Sequence, residues 1–460
     1  MKHYDLIIIG SGGGSKLTPA AQLGKKVAMI EKGAMGGTCL NRGCIPSKRL
    51  IHLADKMQEL QRLKHFYVEL QNPDFSFDWD RYIQEVSAHV DGHSKDMEDW
   101  YKKSESVDFY QGEATFSGKK EIEVNGEKLT ADVILVATGS RPLIPQIPGL
   151  EGTPYLTSTE ALRLTKKPKK LIVIGGGYIA LELGHFYHSL GVETEYLVRS
   201  SMLKGEDETI QGIFDQKFCS ENKVYKGVEP DHIEYKYGQF FVHSKKGGQT
   251  FVGDALLVAT GIVPNSDRLN LDKTGVKTDK KGFIKVDQHL QTDCEGVYAI
   301  GDVVGHYLFR HSVNFEAEYL MEQLFFADKK TAIQYPPMPH AVFTHPQIAG
   351  VGMTEQEIKK ENQRTQEPID YIAVTHEYSK TGMGSAMKDE GLVKILVDKK
   401  THKILGAHII GQKSSDIIHS LIAQMTLGAT VEQCLAMIYI HPALSEVIKG
   451  ALRKAVTQLS

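Results

Sequence analysis

Cys39 and Cys44 stand in the run GGTCLNRGCIPSK, residues 36–48, downstream of a glycine-rich turn that follows an apolar strand. Four intervening residues are too many for a thioredoxin-type pair or a zinc knuckle. On one helical turn and its lead-in, however, they let two sulfurs meet, so the pair can open and close reversibly. The chemistry this predicts is dithiol–disulfide exchange beside a bound nucleotide. Pro46 suits a helix start there, and a thiolate near a helix N-terminus, close to the Lys48 cation, should have a depressed pKa. Breaking a mixed disulfide also needs a proton donor and forming one needs a base, a task for an imidazole tuned near neutrality. Nineteen histidines could supply it, among them His441 in IHPALSEVIKGA.

The elements that position the dithiol begin at the N-terminus. Residues Tyr4 to Ile9 read as a buried parallel strand, GSGGGS as a tight turn, and Lys16 to Leu23 as a helix. Gly10 and Gly12 let the backbone approach a pyrophosphate at the helix N-terminus, with Gly14 in the same turn. Ser15 takes the place of the usual third glycine, which argues for looser helix–strand packing. Glu31 ends the next strand, Lys26 to Ile30, at the spacing of a residue that accepts hydrogen bonds from a ribose hydroxyl. The run LIVIGGGYIALELG, residues 171–184, repeats this logic with Gly175, Gly177 and Ala180. Two dinucleotide sites are therefore expected in one chain.

VILVATGSRP (133–142) and ALLVATGIVP (255–264) read as strands ending in turns at Gly139 and Gly261. GVYAIGDVV (296–304) is a strand whose C-terminal end carries Asp302, facing the crevice where parallel sheets bind ligands. The three prolines between Ser140 and Pro148 suggest a hinge. Residues 50–105 read as amphipathic helices, and the basic pairs around Pro168 as a solvated linker.

The chain has 460 residues, enough for two to four domains, and 41% apolar content. With 54 basic and 57 acidic residues its net charge is −3, which gives no electrostatic reason to expect nucleic acid or an anionic membrane as partner. Asp5 interrupts any secretory apolar segment and the apolar runs are short, so a cytoplasmic protein is expected. Cys219, Cys294 and Cys434 lie singly and are expected to be small buried residues.

The dithiol run, the paired glycine fingerprints and the histidine segment together resemble the class I pyridine nucleotide-disulfide oxidoreductase family, and the resemblance extends through the whole chain. It implies FAD, and NAD or NADP, on an α/β fold of two Rossmann-like (doubly wound) dinucleotide-binding domains plus a C-terminal α+β dimerisation domain. The implied divisions are an FAD-binding domain at 1–148, an NAD(P)-binding domain at 149–270, a central domain at 271–340 that completes the FAD site, and an interface domain at 341–460. It also implies that Cys44 lies against the flavin as the charge-transfer thiolate, Cys39 exchanges with substrate, Lys48 sits near the reactive flavin nitrogen, and Asp302 bonds the ribityl chain. Gly10, Gly12, Gly14, Glu31, Thr38 and Gly139 would contact FAD. Gly175, Gly177, Gly261 and Arg199 would contact the nicotinamide dinucleotide, with Tyr178 as a gate and Glu182 orienting the carboxamide. Glu446 would orient His441, which would serve the dithiol of the other subunit, so a homodimer is implied.

Two branches of the family compete. HPALSE and CLNRGCIPSK are more similar to dihydrolipoamide dehydrogenase, which makes oxidation of dihydrolipoyl groups by NAD the expected reaction, with the acyltransferase of a 2-oxo acid dehydrogenase complex as partner. YLFRHSVNFEA (307–317) and the Val198–Arg199 segment, with Lys204 nearby, look more like NADPH-dependent reductases of small disulfides, of the mycothione or glutathione reductase type. An arginine there can grip a 2′-phosphate that a strand-end glutamate would repel, although Ile262 lies where relatives often carry arginine. A non-catalytic flavoprotein is the reading from another class, and the intact set of Cys39, Cys44, Lys48, His441 and Glu446 argues against it.

Overall fold

The structure, a computed structural model, describes residues 1–69, 76–245 and 247–460. Its first strand, Lys2–Ile9, is apolar on both faces. Tyr4, Ile7 and Ile9 enter one core cluster while Leu6 and Ile8 enter another on the opposite face. Such a strand belongs in the middle of a covered parallel sheet. It lies between Val27–Glu31 and Glu127–Val136, parallel to both, with Ile7 opposite Ala28 and Ile134. Val107–Gln111 extends one side of this sheet. On the other side an antiparallel hairpin, Thr115–Gly118 and Glu121–Val124, joins Glu127–Val136. Val297–Ala299 returns from far along the chain to pair in parallel with Glu127–Val136, delivering Asp302 to the sheet's C-terminal edge.

A second parallel sheet runs Lys223–Lys226, Glu193–Val198, Lys170–Ile174, Ala255–Val258. A three-stranded antiparallel sheet of Pro230–Lys236, Gln239–Ser244 and Thr250–Gly253 belongs to the same stretch of chain. The two parallel sheets are the doubly wound units expected from the glycine fingerprints. The C-terminal part is α+β: a five-stranded antiparallel sheet covered by helix Glu446–Leu459, which buries Val447, Ile448, Ala451, Leu452 and Ala455 at helical spacing.

Several local expectations are corrected. The first helix is a 3₁₀ segment, Gly14–Leu23, and starts two residues before Lys16. The looser packing inferred from Ser15 does not occur. Gly14 takes the close approach instead, since a Cβ on it would lie 2.6 Å from Ile8 Cγ2 and 3.2 Å from Ala137 Cβ. Ser15 turns its hydroxyl back to the Gly12 carbonyl at 3.1 Å. The segment expected as a hinge contains a strand, Ser140–Pro142, paired antiparallel with Ile262–Pro264, so the two similar strand exits bind each other. Cys294 and Cys434 are buried, but Cys219 is exposed. Its helix, Glu208–Glu221, points Ile210, Phe214 and Phe218 inward, and residue 219 is turned about 100° from Phe218.

The amphipathic stretch forms helices Cys44–Arg62 and Trp79–Lys103, the latter capped by Asp78, whose carboxylate accepts from Arg81 N at 3.1 Å. Residues 70–75 of that stretch lie outside the described residues. Among the described residues no helix is long and apolar enough to cross a membrane.

Candidate active site

The first glycine turn and the dithiol helix are built against each other. Gly10 has φ +101°, and a Cβ there would meet Ala137 O at 2.4 Å. A Cβ on Gly37, φ +67°, would lie 2.7 Å from Gly12 Cα. A side chain at Gly10 would push the turn off the strand exit at Ala137, and one at Gly37 would separate the turn from the helical run that carries the cysteines, so glycine is required at both. Ser11 ties the same loops. Its N–H and hydroxyl donate to Glu31 Oε2 at 2.9 and 2.7 Å, and Gly36 N donates to its Oγ at 3.0 Å. The other Glu31 oxygen accepts from Gly33 N at 2.9 Å. Buried Asn41 fixes the loop before the cysteines by donating to Met35 O at 2.8 Å and Gly37 O at 3.0 Å.

One cleft is lined by Gly10, Gly12, Glu31, Thr38, Cys39, Cys44, Gly139 and Asp302, residues drawn from five separate stretches of sequence. Gly14 does not line it, because its role is the packing contact described above. The glycine cradle and the carboxylates of Glu31 and Asp302 fit the phosphate and hydroxyl groups of a dinucleotide. Asp302 accepts a bond from Ser140 Oγ at 2.6 Å, and burial raises its pKa.

Cys39 and Cys44 are thiols hydrogen-bonded to each other, the first in the first turn of the short helix Gly37–Arg42 and the second opening helix Cys44–Arg62. The hydrogen bond from Cys44 lowers the Cys39 pKa to about 7 against the opposing effect of burial, with Arg310 and Lys48 adding cationic support. Cys44 moves the other way, raised by its bond to Cys39 and by burial. Of two hydrogen-bonded thiols the accepting sulfur carries negative charge more readily, and here that sulfur is Cys39. Alkylation of the reduced protein by iodoacetamide should therefore rise with pH through a midpoint near 7, since the thiolate is the reactive form. Peptide mass mapping should place the label on Cys39, and Cys44→Ala should move the midpoint upward. A wild-type midpoint at the free-thiol value, about 8.5, would contradict this division of charge.

Helix Cys44–Arg62 also packs on helix Tyr178–Ser189 of the second unit. Lys48 Nζ donates to Glu182 Oε2 at 2.6 Å and lies 4.3 Å from the Phe343 ring centroid, while Glu182 Oε1 accepts from Phe343 N at 3.0 Å. Tyr178, at the start of its helix, donates its hydroxyl to Glu206 Oε1 at 2.6 Å, and His340 Nε2 stands 2.9 Å from Glu206 Oε2. The His340 ring is stacked with both Tyr178 and Phe309. Burial acts to raise the Glu206 pKa, but the bonds from His340 and Tyr178 outweigh it and leave it below the ordinary value. Burial and this carboxylate raise the Tyr178 phenol.

In the second glycine turn Gly175 has φ +141°, and a Cβ on it would meet Ala259 O at 2.3 Å. Gly177 caps the helix that follows. Gly261, φ +135°, accepts from Leu143 N at 2.9 Å where the two strand exits pair. Val198 is buried at the end of its strand, whereas Arg199 is exposed and makes no hydrogen bond or ion pair with any described residue.

His441 and Glu446 are brought together. Nδ1 stands 3.1 Å from both carboxylate oxygens, and the bond to His441 lowers the Glu446 pKa. The pair does not line the dithiol cleft of its own chain. The His441 side chain is 76% exposed, next to Ile438 and Ile440 at 98% and 77%.

Sequence reasoning missed Arg310 and Glu206 as site residues and gave His340 no catalytic role. Arg310 sits within the run 307–317 that stood out as a motif. Glu206 and His340 carry no local pattern, because they meet across 134 residues of chain.

Sequence models of two families match the chain: Pyridine nucleotide-disulphide oxidoreductase at residues 4–322, and the dimerisation domain of the same name at residues 338–452. Mycothione reductase from Mycobacterium tuberculosis is 32% identical, over 98% of this chain and 99% of its own length. Dihydrolipoyl dehydrogenase from Thermus scotoductus is 35% identical, over 98% of this chain and 97% of its own. Among solved structures, the Cu(II) complex of the HOCl-induced flavoprotein disulfide reductase RclA from Escherichia coli superposes with a TM-score of 0.87 at 27% identity. That match covers 99% of this chain and all of the other.

Proposed function

The chain belongs to the pyridine nucleotide-disulphide oxidoreductase family, flavin-dependent enzymes that use FAD and NAD(P)H, and from that footing we propose that it reduces a low-molecular-weight disulfide with NADPH. The observation that carries the direction is the strand end at Val198 and Arg199. A buried valine occupies the place of the ribose-binding acid, and the next residue is an exposed, unpartnered cation, with Lys204 also exposed on the loop beyond. That arrangement suits a 2′-phosphate. This reverses the order of preference drawn from the dithiol and histidine motifs, which favour dihydrolipoyl oxidation. That second reading retains the support of HPALSE and of a relative 35% identical, and it alone would bring an acyltransferase partner.

When bound, FAD would supply the route by which two electrons reach the Cys39–Cys44 disulfide from the nicotinamide. Gly10, Gly12, Glu31, Gly139 and Asp302 would hold it; Gly175, Gly177, Arg199 and Gly261 would hold NADPH, with Tyr178 screening the space between. The Cys39 thiolate attacks one sulfur of the substrate, forming a mixed disulfide and expelling one thiolate, which His441 protonates. Cys44 then attacks Cys39, re-forming the internal disulfide and releasing the second thiol. Glu446 steadies the imidazolium that alternates with neutral imidazole, and Lys48, fixed by Glu182, supplies positive charge beside the thiolate. His441 serves the partner's dithiol in a homodimer closed by the interface domain, 341–460. The regions 1–148, 149–270 and 271–340 carry the FAD half, the nicotinamide half and the Asp302 edge, and the enzyme works in the cytoplasm.

The test compares nucleotides and substrates together. Reduction by NADPH should be faster than by NADH, and small disulfides should turn over better than lipoamide. Replacing Arg199 with alanine should raise the KM for NADPH by roughly 10- to 100-fold, the worth of a charge-assisted contact, and leave the KM for NADH unchanged. Equal effects on both nucleotides would remove the 2′-phosphate role and return the reading to the dehydrogenase.

A further inference from the structure

On the three-stranded sheet of the second unit, His232 on strand Pro230–Lys236 is the cross-strand partner of His243 on Gln239–Ser244. Glu234 lies two residues beyond His232 on the same face, while Ile233 and Val242 point to the core side. The two imidazoles stack with centroids 4.1 Å apart and planes at 11°. Their Nε2 atoms stand 4.0 and 3.9 Å from the same carboxylate oxygen, Glu234 Oε1. One ligand atom from each of the three residues falls within 4.8 Å of the others.

The outer contacts of these rings matter more than the cluster itself. His232 Nδ1 is 3.1 Å from Asp231 Oδ2, and His243 Nδ1 is 2.9 Å from Thr250 Oγ1, on the third strand. A ladder irregularity between Pro230 and His232 places Asp231 in the bulge, where its carboxylate can reach the neighbouring ring. With both Nδ1 atoms donating outward, both Nε2 atoms present lone pairs on the side of Glu234. Among the described residues His243 Nε2, which is buried, has no hydrogen-bond partner, an arrangement that buried polar atoms rarely adopt. Lys236 engages the other Glu234 oxygen, Oε2, at 2.6 Å, which leaves Oε1 turned toward the two rings.

We propose that His232, His243 and Glu234 form a binding site for a divalent transition ion of the zinc class, with Asp231 and Thr250 as the groups that orient its imidazole ligands. Metal-bound histidines characteristically donate their second nitrogen to a carboxylate or other acceptor, and Asp231 Oδ2 and Thr250 Oγ1 are placed to accept from the two Nδ1 atoms. Bond lengths of about 2.0–2.2 Å tolerate ligand separations up to about 4 Å, which both carboxylate distances meet, and a turn of either ring out of the 11° stack brings both Nε2 lone pairs onto one ion. Two imidazoles with one carboxylate suit zinc and its neighbours and disfavour calcium and magnesium, which take oxygen sets. None of the three ligands lines the dithiol cleft, so the site is separate from the catalytic chemistry. It pins the first two strands of the sheet together.

The test is calorimetric titration of the FAD-loaded protein with ZnCl2, with the internal disulfide oxidised so that Cys39 and Cys44 cannot take the ion. Wild type should bind one more equivalent per chain than His232→Gln or His243→Gln, and Asp231→Asn should keep the site but weaken it by about 10-fold or more. Disulfide turnover should be the same in all four proteins. Zinc-edge anomalous scattering from crystals should place the ion between the two rings and Glu234. Equal stoichiometry and affinity in wild type and both glutamine variants, or an anomalous peak only elsewhere, such as at the edge-to-face pair His89 and His93, would overturn the assignment.

Discussion

Cys44→Ser should lower disulfide turnover by on the order of 10⁴-fold or more, because removing one member of a unit that acts together costs nearly as much as removing all of it. The substitution keeps size and helix position while taking away the sulfur that must displace the mixed disulfide on Cys39. The variant should therefore still attack substrate once and stop, so that mass spectrometry after incubation with excess disulfide finds one substrate thiol attached to Cys39. Cys39→Ser should be equally inactive yet carry no adduct. The asymmetry separates the two sulfurs: Cys39 is the thiol whose pKa falls to about 7, and Cys44 the one that burial and its partner raise. An adduct on Cys44 in the Cys39→Ser protein would reverse the order of attack. Full activity in Cys44→Ser would end the dithiol mechanism.

Much of this site was legible because its parts are written locally. A glycine that must adopt φ near +100° or accept a backbone at van der Waals distance leaves a mark in the sequence, as Gly10 and Gly175 do. A strand apolar on both faces, such as Lys2–Ile9, announces a covered parallel sheet. What escaped was set by approach in three dimensions. Gly14 packs where the spacing rule assigned Ser15, since a 3₁₀ segment turns its residues differently from an α-helix. The two similar strand exits looked like hinge and turn, and nothing in either shows that Ile262 would pair with Pro142. The division of charge between the two cysteines follows from the bond between their sulfurs, and the further contribution of Arg310 comes from some 270 residues away. The exposure of Cys219 follows from one step of helix rotation, which a count of isolated cysteines cannot register.

The position of His441 leads to the second large effect. Alone, His441→Gln should slow turnover by roughly 10²- to 10⁴-fold, the range for loss of a positioned general acid and base. More telling is a mixture. His441 is exposed on its own chain, beside bare isoleucines, and does not line its own dithiol cleft. If it completes the site of the other subunit, a dimer of one Cys44→Ser chain and one His441→Gln chain contains one wholly defective site and one wholly intact site. Co-expressed at equal levels and paired at random, half the dimers are mixed and each carries half the normal sites, so activity should recover to about one quarter of wild type. Each variant alone stays nearly silent. Were His441 to act within its own chain, every site in the mixture would keep one defect and no recovery would be seen. Because the expected signal is a gain of activity from two inactive proteins, misfolding of either variant cannot imitate it.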